Sequence, residues 1–147
     1  MSENLNPKTA ESLSGDKSSE KKITVAEKWQ GAVNEDSGFV AIPMTLLRLQ
    51  TKLKLTATDM VVLTNLLAHW WDPKRAVFPR STMIAQRMGV TKRTVQRSTQ
   101  KMIVAGLIDR TFLENGRRAF QFDALAARLA RDLPLAQMIR GQEVLDQ

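Results

Sequence analysis

The run from Ser81 to Ser98 leaves this chain few folds to choose from. Ser81 or Thr82 can cap a short helix through Met88, accepting a hydrogen bond from one of its first free amides. Gly89 follows, suited to the left-handed conformation that ends a helix and turns the chain sharply. Thr91 can cap a second, longer helix to about Ala105, closed by Gly106. Two helices joined by so short a turn cross steeply, and a small residue is needed where they meet. Ala85 supplies it. Val90 is placed to plug the corner, Val95 to face inward, and Met88 and Met102 to extend the same buried seam.

With those positions inside, the outside of the second helix follows. Lys92, Arg93, Thr94, Gln96, Arg97, Gln100 and Lys101 are left for solvent or a partner. The cations among them suit phosphates, and the Thr and Gln side chains suit the edges of bases. Charge along the chain points the same way. The formal net charge is +7, but the segment from Lys74 to Arg118 holds eleven Lys or Arg against Asp109 and Glu114 and so carries +9 by itself. The remainder is slightly acidic, and positive charge gathered in this way suits a phosphate-binding surface. Beyond the second helix, Leu107 to Leu113 alternates like a strand, Asn115-Gly116 is a strong hairpin-turn signal, and Ala119 to Phe122 returns. Arg117 and Arg118 stand just past the turn, and arginine is well matched to phosphates and narrow minor grooves.

From Leu55 to Asp123 the chain resembles the winged helix-turn-helix domain of bacterial, plasmid and phage regulators and replication proteins. The resemblance is carried by Phe78-Pro79-Arg80-Ser81, Ala85-Gln86-Arg87-Met88-Gly89-Val90, Thr91-Lys92-Arg93-Thr94-Val95-Gln96-Arg97 and Ala105-Gly106-Leu107-Ile108. It implies a mainly α fold with a small β-hairpin wing. It also implies that the helix from Lys92 enters the major groove N-terminal end first, while Arg117 and Arg118 on the wing touch the backbone or minor groove. Arg80, Ser81, Thr82 and Thr91 are the expected contacts to the DNA backbone. The chain departs from the pattern at Ser98 and Thr99, where related helices place an aliphatic residue inward.

Around this module, residues 1–22 are polar and too poor in apolar side chains to offset the entropy of ordering, so a disordered tail is expected. Residues 23–55 read as an extension with a short strand at Gly38–Pro43 and a helix over Met44–Leu53. The module itself is assigned to 56–122. Its first helix is capped by Thr56 or Thr58, and Met60, Val61, Leu63, Leu66, Leu67 and Trp70 form its buried stripe. Residues 123–147 read as a helical extension, capped by Asp123 and interrupted at Pro134.

There is no cysteine, which excludes disulfides, thiolate metal sites and a cysteine nucleophile. The N-terminus lacks an apolar signal core, and no apolar run approaches the roughly 18 residues of a membrane span. A cytoplasmic protein with no membrane partner is expected. His69, the single histidine, reads as a packing residue, and the tryptophans as core or interface anchors. No constellation of catalytic side chains stands out, so no enzyme, cofactor, metal or small-molecule ligand is expected. The expected function is sequence-specific binding of double-stranded DNA by a homodimer, as a transcriptional regulator of a plasmid, phage or other mobile element. Two alternatives stay open at this point: a replication initiator, maintenance or origin-binding accessory protein, and a protein-interaction adaptor built on the same fold.

Overall fold

Threonine opens helices at Thr24, Thr56 and Thr91. The computed structural model describes residues 22–147, so the polar tail up to residue 21 lies outside the described residues. Two units separate along the chain, up to Phe39 and from Val40 onward. In the first, Thr24 and Glu27 close a reciprocal cap on a single-turn helix, α1 (Val25–Lys28). Asn34 then organises a turn by accepting from the amides of Asp36 and Ser37.

The second unit begins without a strand. Residues 38–43 carry no strand pairing, and Pro43 instead precedes α2 (Met44–Leu49), a helix shorter than the expected one. Past Gln50, itself still in the right-handed conformation, the chain continues as turns, with the Leu53 amide donating to the Leu49 carbonyl at 2.9 Å, and reverses at Lys54, a non-glycine residue at φ 57°. Thr56 caps α3 (Ala57–Leu67), with Asp59 completing the reciprocal cap. The buried stripe of α3 is Asp59, Met60, Val62, Leu63 and Leu66. Val62, not Val61, faces the core, and Val61 is exposed.

Helix α4 (Ser81–Met88) takes Arg80 as its cap residue, and no side chain caps it, so neither Ser81 nor Thr82 has the capping role expected of it. Both stand inside the helix, where Ser81 is the first residue. Gly89 follows in the left-handed conformation at φ 67°. Thr91 caps α5 (Lys92–Val104) by accepting from the Thr94 amide at 3.2 Å. Val95 and Met102 are fully buried, but Val90 remains more than a third exposed and does not plug the corner.

The hairpin is antiparallel, β1 (Asp109–Phe112) against β2 (Arg118–Gln121), in the register Arg110 opposite Phe120 and Phe112 opposite Arg118. A further bridge joins Val77 to the other edge of β2. The Val77 amide donates to the Phe120 carbonyl at 2.9 Å, and the Phe120 amide returns the bond at 2.7 Å. The segment between α3 and α4 therefore fastens the base of the wing. Helix α6 (Asp123–Arg131) begins after Phe122, so Asp123 lies in its first turn instead of capping it. Asp132 separates it from α7 (Leu133–Leu145), held by Arg128 at 2.9 Å and Arg131 at 3.1 Å.

One apolar cluster runs through the second unit. Leu46 and Leu49 from α2, Val62, Leu63 and Leu66 from α3, Ile84, Val95, Met102, Leu107, Ile108 and Phe122 all lie in it, with Leu125 and Leu129 from α6. The Trp70 ring packs at 5.5 Å from that of Phe122. Helix α5 packs on α4 and on α3, and α7 on α2 and α6. The fold is mainly α with a two-stranded hairpin, as the sequence implies.

Candidate nucleic-acid interface

The orientation of α5 is set by polar groups as well as apolar ones. Ser98 and Thr99, facing inward, are buried. Thr99 returns its hydroxyl to the Val95 carbonyl within the helix at 2.9 Å. Ser98 donates to Asp59 Oδ1 on α3 at 2.7 Å, and the Lys101 ammonium reaches Oδ2 of the same carboxylate. Thr56 donates its amide to Oδ2 at 2.9 Å. Burial alone would raise the Asp59 pKa. The hydrogen bonds from Lys101, Ser98 and Thr56 outweigh it and bring the carboxyl from 3.8 to about 2. Asp59 therefore stays ionised and ties α5 to α3 at two successive turns.

That tie leaves the opposite side of α5 facing an open groove. Lys92, Arg93, Gln96, Arg97 and Gln100 line it from α5, with Arg80, Ser81 and Thr82 from the start of α4. The wing closes the far side through Arg110, Arg118 and Phe120. Register explains the selection. Residues 110 and 112 share one face of β1, 118 and 120 share one face of β2, and the pairing sets Arg110 directly across from Phe120. Arg110 also donates to Gln100 Oε1 at 3.0 Å, linking wing and helix. The groove thus has cations on three elements, exposed amide side chains along its floor, and the N-terminal turns of α4 and α5 beside it. Helix N-termini present free amides to anions.

Residues 42–137 match the family described as the DnaD N-terminal domain. The chain belongs to that family. No curated protein sequence matches it. Among solved structures, the N-terminal domain of the DnaD protein from Geobacillus kaustophilus is similar at 19% identity, with a TM-score of 0.54, over 83% of this chain and 99% of that one. The ST1889 protein of the thermoacidophilic archaeon Sulfolobus tokodaii, at 20% identity, has a TM-score of 0.46 over 71% of this chain and 96% of that one. A point mutant of S. aureus MepR bound to an oligodeoxyribonucleotide, at 19% identity, has a TM-score of 0.46 over 71% of this chain and 72% of that one. At these identities a likeness concerns the fold.

Within this DnaD N-terminal domain the residues expected to touch DNA divide into groups. Lys92, Arg93, Gln96, Arg97, Gln100, Arg80, Ser81, Thr82 and Arg118 come together around one groove. Lys101 borders the groove too, but its ammonium is committed to Asp59. Thr91 and Thr94 are occupied with each other at the start of α5, their hydroxyls 3.0 Å apart, and neither lines the groove. Arg117 separates from Arg118. Its guanidinium lies over the Phe78 ring, 5.7 Å from the centroid, on a different groove. Successive strand residues point to opposite faces, so two adjacent arginines could not both serve one surface.

Arg110 is the functional candidate that the sequence reading missed. The signal was present in the alternation of the strand, since a hairpin turning at Asn115-Gly116 sets Arg110 on the same face as Phe112. His69 is half-buried after the end of α3 and borders a second groove. Burial, then the charge of Arg87, holds its pKa below the ordinary value, and its Nε2 is buried with no hydrogen-bond partner among the described residues. Among the described residues no helix is long and apolar enough to cross a membrane.

Proposed function

We propose that this DnaD N-terminal domain binds double-stranded DNA, with the outward face of α5 in the major groove and the wing strand bearing Arg118 along the backbone. The observation that carries the reading is the convergence of Arg93, Arg97, Arg80, Arg110 and Arg118 around one open groove floored by Gln96 and Gln100. Its width of contact, from α4 to the wing, suits a duplex better than a small ligand. Family membership favours work in DNA replication, as an origin-binding or accessory protein, over the promoter regulation that the sequence alone suggested. The chain shows no ATPase or primase motif, so the chemistry of replication would fall to partner enzymes.

The test is selection of bound sequences from random duplex DNA by the purified chain at about 0.15 M ionic strength. A single enriched motif is expected, recurring as iterated copies in an origin. Arg93→Ala or Arg97→Ala should cost about 1–3 kcal/mol at one base position and relax specificity there. Arg118→Ala should weaken all sequences alike and reduce the salt dependence by about one released ion. Equal losses on every sequence from all three variants would refute the division between helix and wing. No enrichment, together with a partner still bound after charge reversal at Arg93 and Arg97, would instead support the adaptor role.

A further inference from the structure

A second open groove lies between the 69–80 segment and the wing. Trp71 and Phe78 both line it; Trp71 is 74% exposed, and Phe78 is 51% exposed, with the Arg117 guanidinium already over one side of its ring at 5.7 Å from the centroid. Trp71 thus differs from its neighbour Trp70, which is packed against Phe122. The guanidinium groups of Arg75, Arg80 and Arg117 line the same groove. Among the described residues Asp72 is the one acid along it, and it is engaged by the Lys74 amide at 2.9 Å and by Arg75 at 3.8 Å. Pro79 and Arg80 belong to both grooves, so a strand lying in one can pass directly into the other.

Open aromatic faces have little to offer an intact duplex, whose bases stack on each other. They are suited to unpaired bases, each of which has a free π-face, and neighbouring arginines are suited to the phosphates between them. An acidic peptide would satisfy the arginines, but continuity with the α5 groove favours nucleic acid. We propose that the groove holds a single strand of DNA, with Trp71 and Phe78 stacking on bases and Arg75 and Arg117 pairing with phosphates. This goes beyond duplex binding, and its choice of nucleic acid as the occupant rests on that reading of the α5 groove, but a single-stranded probe tests it separately.

The experiment titrates the full chain with a fluorescently labelled thymidine oligonucleotide of about 12 nucleotides, within the span a stacking groove can hold. Trp71→Ala and Phe78→Ala should each weaken binding by about 5- to 100-fold, the range for losing one stacked base. Trp71→Phe should retain most of the affinity, and Arg75→Ala should flatten the salt dependence. All four variants should keep the wild-type affinity for duplex DNA. Failure of the oligonucleotide to bind, or equal binding by the wild type and both alanine variants, would overturn the proposal. A peptide of aspartate and phenylalanine that binds through Trp71, where the oligonucleotide does not, would reassign the groove to a protein partner. Loss of duplex binding in the Arg93 or Arg97 variants bears only on the first groove.

Discussion

Asp59 connects a local rule of helix chemistry to the placement of the groove. As the third residue of α3 it completes the cap with Thr56, and that much is legible in the order Thr-Ala-Thr-Asp. Its second role is not. Ser98 and Lys101 lie 39 and 42 positions along the chain, and no local periodicity signals so distant a pairing. Ser98 and Thr99 consequently read as a departure from an aliphatic pattern, although they solve the same packing problem with hydrogen bonds. Because the folded pKa lies below 3.8, this carboxylate contributes stability above about pH 4 and loses it as pH falls toward 2. Lys101→Met should leave the buried carboxylate short of a charged partner, costing about 2 kcal/mol and moving acid unfolding to higher pH. Melting temperatures between pH 2 and 7 would check this. An unchanged acid limb would mean that Ser98 and Thr56 suffice to hold the charge.

At the scale of elements, the turn from α4 to α5 was the most legible part of the molecule, and it rests on one glycine. Gly89 stands at φ 67°, while a Cβ added there would meet no atom within 4 Å. The requirement is therefore conformational and not steric. Gly141, inside α7, has equal space and no positive φ. The two sites should thus respond oppositely to one added methyl group. Gly89→Ala should destabilise by about 1 kcal/mol through backbone strain, and Gly141→Ala should stabilise by about 0.5–1 kcal/mol. Urea midpoints measured on both variants would decide it, and destabilisation of similar size at both would mean that α7 is constrained by something other than its own backbone. The hairpin was legible for a similar reason, since Asn115-Gly116 marks its turn and Gly116 has φ 79°. The bridge at Val77 was not, because a single paired residue has no period to detect. The strand expected at Gly38–Pro43 fails for a related reason: a short extended run is a strand only if a partner edge is available.

At the scale of the whole molecule, the helices read as flanking extensions supply part of the core. Leu46 and Leu49 from α2, Leu125 and Leu129 from α6, and Ala136 from α7 are all buried with the module. Sequence periodicity reports that a helix has an apolar face, not which other helix covers it. The contact of α2 with α7, joined by Arg48 and Glu143 at 3.0 Å, brings both ends of the unit together. These same two helices also carry apolar side chains that remain exposed, Met44 and Leu47 on α2 and Met138, Val144 and Leu145 on α7. A single winged module buries modest surface on DNA, so two copies joined through these helices would raise affinity without altering the groove. We therefore expect the protein to sediment as a dimer at concentrations on the order of micromolar. The double substitution Leu47→Glu with Met138→Glu should yield a folded monomer, because both positions are exposed. That monomer should bind an isolated DNA site as the wild type does and lose the additional affinity for paired sites. A wild type that remains monomeric with and without DNA would end the dimer expectation. A double variant that still dimerises would remove α2 and α7 from the interface.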